Sequence, residues 1–555
     1  MSRTLLRIVC CLNLAALAVC LGGCGGQRPA AQTSAPASDV DTTPAKGDWL
    51  IVHLPAEMPH LNPITSSDAY ATRVMNDIYD TLLDRDPVSL EMLPNLAESW
   101  EESEDHLVYT FKLRDGLSFS DGHPLTAEDV RFSYEILMNP TTDAAALRGY
   151  FEHVTSCEVL DARTIRFTCS KPYYLHLVQL GNYLPIMPKH IFGSGDFNKH
   201  PNNLKPVGSG RYVLESWRSG LELVLARNPR YWGEAAGKPP VWFDKIVYKI
   251  ITDDNAALQV LLAGGLDVKG MRPEEWEQRT NTPDFVARFN KYETIRAAFN
   301  YIGWNMRRPM FSDRRVRQAL TMLMDRETLL ATVLHGHARI QTGTFMLDTE
   351  ECDPAIAPWP FDPATAVTLL DAAGWKDTNG DGIRDKDGVP FVFELLLTPG
   401  NIDGERICTF YQEELGRAGI KMQIRTVEWA SLMEMVDKRQ FDAMIAGWSL
   451  DADPDPYQLW HSSQQERGSN YVGFANEEAD RIIETARVTF DRQERVRLYR
   501  RFHQILHEEQ PYTFLFQPAS LAVVDKRVHG VVFHGLFPLR PRFEWYVPKA
   551  LQRYR

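Results

Sequence analysis

The sequence predicts a mixed α/β protein of more than one domain, on three observations. A chain of 555 residues exceeds what one ordinary core organises. Its 44% hydrophobic and 24% charged residues are those of a soluble globular protein. Stretches of strict apolar alternation and stretches of helical period follow one another along its length. The formal net charge of -13, with no long basic run, argues against nucleic acid as a partner. Thirteen Trp and twenty Tyr supply much stacking surface.

The N-terminus reads as an export signal. Arg3 and Arg7 flank a basic start, 8–21 is apolar apart from Asn13, and Gly22, Gly23 and Cys24 follow. The apolar segment is too short for a comfortable membrane span. Leu21-Gly22-Gly23-Cys24 resembles a bacterial lipoprotein box, which makes 1–23 the signal peptide and Cys24 the acylated first residue. The stretch 24–47 is rich in Ala, Pro, Ser, Thr and Gln and too poor in apolar bulk to fold. It is expected to be a flexible tether with an r.m.s. reach of roughly 25 Å. The folded body is thus expected outside the cytoplasm, held to a membrane by lipid alone.

Residues 49–54 form a short apolar strand, 55–62 a loop, and 68–83 a helix. Leu107, Tyr109, Phe111 and Leu113 alternate, which marks a half-buried strand. Thr126 and Asp129 make a capping box that opens a helix carrying Val130, Tyr134 and Leu137. Ile165 and Phe167 lie on another strand. From Val207 come three strands, GRYVLESW, LELVLARN and KIVYKIIT. Helices follow over 254–263, from Ser312 or Asp313, and from Asp362 and Pro363 to Gly374. FVFELLLT is a buried strand, 405–418 a helix, and Met422, Ile424 and Val427 a strand. Helices over 477–488 and 492–507 precede a strand over 512–516.

The most informative stretch is FDAMIAGWSLDADPDPYQLWHSS, from Phe441 to Ser463. A strand runs into Gly447 and Trp448, and Pro454 and Pro456 then force a turn. Asp451, Asp453 and Asp455 place negative charge at the strand's end. A strand edge, an aromatic wall and a carboxylate suit an extended ligand with a positive end. Asp and Pro are equally the ordinary residues of a plain turn.

Other chemistry is sparse. There is no Walker A, Gly-x-Ser-x-Gly, His-Glu-x-x-His or dinucleotide fingerprint, so no catalytic residue is assigned and an enzyme is not expected. Asp377, Asn379, Asp381 and Ile383 match the first positions of a calcium loop with Gly382 at the sixth, but Gly388 stands where the bidentate Glu belongs. A structural calcium there and an Asp/Gly hairpin both remain open, and no cofactor is required. Cys157 and Cys169 sit on two short strands around Asp161-Ala162-Arg163, where a cross-strand disulfide is plausible.

Several segments, in order, resemble the family 5 bacterial extracellular solute-binding proteins, the peptide and nickel type that serves ABC importers. They are PNLAESWEES at 94–103, YTFKLRDGLSFSDGHPLTAEDVRFSYE at 109–135, VGSGRYVLESW at 207–217, RNPRYW at 227–232, FSDRRVRQALTMLMDRETLL at 311–330 and AGWSLDADPDPYQLWHSS at 446–463. The resemblance implies a periplasmic-binding-protein type II fold, with two lobes closing by a hinge over a ligand and one extra inserted domain. Domain I would take 48–85, 195–305 and 520–555, domain II 86–194, and domain III 306–519. The hinge would lie near 301–305 and 516–520.

By the same resemblance Asp451, following Gly447-Trp448, would hold a peptide's α-ammonium. Gly447, Trp448 and Ser449 would line the ligand. The loop after Asp451 is spaced differently from that of the better-known peptide binders, so Asp453 would share or take the role. Ser66, between Thr65 and Ser67, is the candidate on the domain I side, and Asn470 and Tyr471 are candidates after the Gly-Ser turn. The implied function is a monomeric, lipid-anchored, periplasmic or cell-surface receptor that passes di- or oligopeptides to an ABC permease and its ATPase. The alternatives are a nickel chelate, oligosaccharide or other solute on the same fold and, from another class, a secreted hydrolase.

Overall fold

A computed structural model describes residues 41–466, 468–534 and 544–554. The signal peptide, Cys24 and most of the expected tether lie outside the described residues. The end of that tether lies against the body. The Tyr546 hydroxyl donates to Thr42 O at 3.0 Å, Lys46 Nζ pairs with Glu234 at 2.6 Å, and Gly47 N–H donates to Trp242 O at 2.9 Å.

The largest sheet has eight strands gathered from distant parts of the chain. Along its main path run Phe289–Ile295, Phe516–Asp525, Val268–Met271, Trp49–Leu54, Lys245–Ile250, Glu222–Arg227 and Tyr212–Arg218, with Ala338–Ile340 added beside Phe516–Asp525. Trp49–Leu54 is central, parallel to both neighbours, and buried from its second residue onward. Such a strand reads as an unbroken apolar run, WLIVHL. The motif VGSGRY is needed because a Cβ on Gly208 would stand 2.0 Å from the Ile78 carbonyl oxygen.

A second sheet of four antiparallel strands, Ala97–Glu102, Val108–Leu113, Thr164–Cys169 and Val154–Asp161, comes wholly from the region expected to be inserted. Its inward residues Tyr109, Phe111, Ile165 and Phe167 join one buried cluster with Leu50, Leu223 and Ile246 of the large sheet. These two sheets therefore share a core and form the first lobe. The second lobe is built on five strands in the order Lys421–Thr426, Val392–Leu397, Ala443–Ser449, Ala298–Trp304 and Tyr512–Phe514, with helices packed around them.

The chain crosses between lobes at Arg296 and Ala297, between Phe289–Ile295 and Ala298–Trp304, and returns at Pro518 and Ala519, where the strand Phe516–Asp525 leaves Ala338–Ile340 and the second-lobe core for Phe289–Ile295. Arg296 N–H donates to Pro518 O at 3.0 Å, and Gln517 Nε2 donates to Arg296 O at 3.1 Å, so the two crossings are stitched together. The first crossing expected at 301–305 is thereby corrected. Tyr301, Ile302 and Trp304 are buried strand residues of the second lobe, and the break falls where the apolar run begins.

Local signals account for many element ends. The capping box of Thr126 and Asp129 opens the helix Ala127–Met138. Asp313 caps Arg314–Met322, and Asp362 caps Pro363–Ala372, which is followed by Gly374 at φ +91°. The helix expected over 68–83 is shorter: Asp68 caps Ala69–Met75, and the chain turns before the strand Leu83–Arg85. Cys157 and Cys169 are free thiols. The disulfide expected between them is corrected by the register: Cys157 faces Phe167 and Cys169 faces Val154, so the two are never opposite.

The two ends of the body meet over the large sheet. Arg527 binds Asp48 and, at 2.5 and 2.7 Å, both oxygens of Asp267, and it donates to Trp49 O at 2.7 Å. Arg553 Nη2 donates to Asp525 at 3.0 Å, Tyr554 N–H donates to Asp48 at 2.9 Å, and the Tyr554 ring stacks on Trp49 at 5.0 Å.

Candidate ligand-binding cleft

Three parallel strands of the second lobe, Lys421–Thr426, Val392–Leu397 and Ala443–Ser449, end at one edge of their sheet. Ligands of open α/β sheets lie outside the carboxyl ends of parallel strands. Here that edge carries the start of helix Ile402–Arg417, the start of helix Trp429–Asp437, and the Asp451 loop.

Ala443–Ser449 is fully paired on one side, from Ala443 opposite Trp304 to Ser449 opposite Ala298. On its other side Val392–Leu397 pairs only with Ala443 and Met444. Leu450 N–H donates to Ala297 O at 2.9 Å. By the alternation of a strand, the main-chain groups of Gly447 and Ser449 then face the opposite way, into the gap beyond Leu397. A Cβ on Gly447 would meet Asn300 Nδ2 at 2.9 Å and Phe299 O at 3.1 Å, so the glycine is required by the neighbouring strand. Trp448 is half-buried. It stacks between Tyr301 at 6.4 Å and Tyr471 at 6.1 Å, and its Nε1 donates to the Tyr512 hydroxyl at 3.4 Å. It is both core and wall.

The three acids of the loop have different fates. Asp453 is held at 2.5 Å by Arg85 of the first lobe. Asp455 lies 3.1 Å from Arg487 Nε and accepts the Tyr173 hydroxyl at 2.5 Å. Asp451 has no ion pair among the described residues. It is exposed to solvent, yet the protein packed around it is the largest influence on its carboxyl and raises its pKa. The charge of Asp453 raises it further, against the opposing effects of Arg85 and the Tyr183 hydroxyl. The side chain is thus open to solvent on one side and crowded by protein on the other. The first lobe supplies part of the wall. Burial and then the nearby Asp451 push the Tyr150 hydroxyl up to about 12, and Tyr183 is raised by the same two causes.

Other candidates lie elsewhere. Asn470 is a correction. It is 0% exposed, its Nδ2 donates to the carbonyls of Trp460, His461 and Phe474, and its Oδ1 accepts Phe474 N–H, so its amide is spent on the fold and out of a ligand's reach. Ser66 Oγ accepts Asp68 N–H at 3.3 Å in the loop before helix Ala69–Met75, and no described contact joins it to the Asp451 loop. In the Asp377 loop the carboxylate of Asp377 accepts Gly380 and Gly382 N–H, Asn379 accepts Asp381 N–H, and Asp381 accepts Ile383 N–H. Those oxygens serve the loop's own amides, and the described residues contain no cluster of three acidic, His or Cys side chains fit to hold a metal.

Sequence reasoning missed Arg85, Tyr150, Tyr173, Tyr174 and Tyr183, which reach the cleft from the first lobe. It also missed Trp429, which is 61% exposed at the carboxyl edge. An unburied Trp directly after a strand is the signal that Trp429 offered.

The family model for bacterial extracellular solute-binding proteins, family 5 middle, matches residues 91–470. The chain belongs to this family. Oligopeptide-binding protein AppA of Bacillus subtilis is 32% identical over 549 residues, covering 97% of this chain and 98% of AppA. The AppA structure in complex with a nonapeptide has a TM-score of 0.80 and covers 91% of this chain and 100% of its own. NikZ of Campylobacter jejuni in complex with Ni(L-His) is 26% identical, with a TM-score of 0.76 over 90% of this chain and 99% of its own. As a family 5 member this chain is an extracytoplasmic solute-binding protein and not an enzyme. No helix among the described residues is long and apolar enough to cross a membrane.

Proposed function

We propose that this chain binds di- or oligopeptides with a free N-terminus between its lobes and delivers them to an ABC permease. One observation carries the reading: Asp451 alone among the three acids of its loop lacks a cation from the protein, and it stands exposed at the carboxyl edge of the second-lobe sheet, where its loop meets the first lobe. An uncompensated carboxylate in such a place is costly until a ligand ammonium pairs with it. The main-chain groups of Gly447 and Ser449 would pair with the ligand backbone whatever its side chains, which gives affinity without sequence preference. Trp448, Tyr471 and Trp429 would pack against ligand side chains. The likeness to AppA, solved with a nonapeptide, supports peptides as cargo. The chain works as a lipid-anchored monomer held through Cys24, and hinge rotation about Arg296–Ala297 and Pro518–Ala519 closes it over its ligand.

The test is calorimetric titration of wild type and Asp451→Asn with one peptide in free and N-acetylated forms. Loss of a desolvated charge pair costs about 2–5 kcal/mol. The variant is expected to lose at least about thirtyfold in affinity for the free peptide and little for the acetylated one. Equal losses on both, or a wild type indifferent to acetylation, refute the reading.

A further inference from the structure

The inserted four-stranded segment does more than extend the first lobe. Beyond its strand Thr164–Cys169, Tyr173 and Tyr174 reach the second lobe. The Tyr173 hydroxyl donates to Asp455 Oδ2 at 2.5 Å. The Tyr174 hydroxyl donates to Pro454 O at 2.5 Å, and Tyr174 N–H donates to Arg487 O at 3.0 Å. The Arg487 guanidinium lies over the Tyr173 ring at 4.5 Å and over Tyr457 at 4.2 Å, and Arg495 lies over Tyr174 at 4.1 Å. Tyr173 is only 4% exposed, so the docking is desolvated.

These bonds land on the loop that carries Asp451. The strand's last ladder bond is that of Leu450, and the next helix begins at Tyr457. Between them the second lobe holds the loop at its far end, through Asp455, by Arg487 and the Tyr457 N–H, and through Pro456 O, which accepts the Leu459 and Trp460 N–H groups. From the first lobe come Arg85 on Asp453, Tyr174 on Pro454 and Tyr173 on Asp455, nearer to Asp451. Pro454 and Pro456 fix their own φ and restrict the residues before them, so a displacement at Pro454 or Asp455 is passed along the loop rather than absorbed.

We propose that Tyr173 and Tyr174 are positioning residues for the ammonium site. Their docking on Pro454 and Asp455 sets the loop that presents Asp451, so that lobe closure and completion of the site are a single event. The proposal rests on the reading of Asp451 given above. It gives the inserted segment a role in ligand retention without any contact to the ligand. An ammonium held in the open form meets an unbraced loop, and the same ammonium in the closed form meets a fixed one. The tyrosines therefore act on dissociation more than on association.

The experiment compares the full chain with its Tyr173→Phe/Tyr174→Phe variant, which keeps both rings and removes both hydroxyls. The probes are tetra-alanine with a free amine and its N-acetyl form, followed by stopped-flow tryptophan fluorescence. Dissociation of the free peptide is expected to quicken by roughly tenfold or more, with association changed by less than about threefold. The preference for the free over the acetylated peptide is expected to fall toward that of Asp451→Asn. A purely packing role would shift the melting temperature and weaken both peptides alike. An unchanged dissociation rate, or an unchanged preference, overturns the proposal. A wild type with no preference for the free amine overturns the ammonium reading instead. Small-angle scattering of the peptide-saturated chains then judges the docking alone: a more extended variant supports it, and equal dimensions overturn it.

Discussion

Asp453→Asn should weaken peptide binding although Asp453 is already paired within the protein, and removal of a second charge should partly repair the loss. Asp453 and Arg85 come from opposite lobes and meet at 2.5 Å, with side chains 27% and 6% exposed. Such a pair forms only when the lobes are together, so its free energy adds to closure. A charge-assisted hydrogen bond with one partner well buried and the other partly wet contributes about 1–2 kcal/mol. The substitution has a second consequence. Arg85 already acts on Asp451 from its present position. Freed from Asp453, it becomes an internal cation competing with the ligand's ammonium, at a further cost of about 1 kcal/mol at an effective dielectric near 20. Together these predict a loss of about 30- to 150-fold in Kd. Arg85→Met in the same chain removes the competitor, and the double variant should bind better than Asp453→Asn alone, by about fivefold. Calorimetric titration of the four chains with one free-amine peptide measures the cycle. A double variant that binds as poorly as the sum of the single losses, or worse, would refute both the cross-lobe role of the pair and the competition for Asp451.

Two further predictions concern acid and stability. The raised pKa of Asp451 means that it takes up a proton at a higher pH than an ordinary carboxylate near 3.8, and a protonated acid does not hold an ammonium. Affinity for free-amine peptides is therefore full above the raised pKa and declines as pH falls through it, whereas Asp451→Asn shows no such decline; a titration at stepped pH checks this. Arg527→Met removes the close cation from Asp48 and Asp267, whose side chains are 0% and 2% exposed, and leaves Asp267 with the more distant Arg553 at 3.9 Å. Urea denaturation should show a loss of about 3–5 kcal/mol, and a loss under 1 kcal/mol would mean that water reaches the network.

Much of the fold was legible because its signals are local. WLIVHL, the alternation from Leu107 to Leu113, and the Asp-capped helices each depend on residues a few positions apart. The Asp451 loop was legible for the same reason, since a strand running into Gly-Trp, three acids and two prolines is a statement about neighbours. What closes that loop was not. Arg85 meets Asp453 and Tyr173 meets Asp455 across hundreds of positions, and neither residue carries a period or spacing that points to its partner. The register of Cys157 and Cys169 failed for a related reason. Two bulges shift the pairing of their strands, and a shift of one residue changes which side chains face each other. Asn470 shows the opposite error: a polar residue after a turn suits a ligand as well as it suits three buried carbonyls, and only packing decides.

The meeting of the two chain ends bears on the order in which this molecule can be assembled. Val268–Met271 sits between Trp49–Leu54, the first strand of the body, and Phe516–Asp525, the last, so the large sheet stays unfinished while the final strand is missing. Arg527, Arg553 and Tyr554 lock onto Asp48 and its neighbours only afterwards. A polypeptide made N-terminus first thus leaves its central sheet one strand short until its tail arrives.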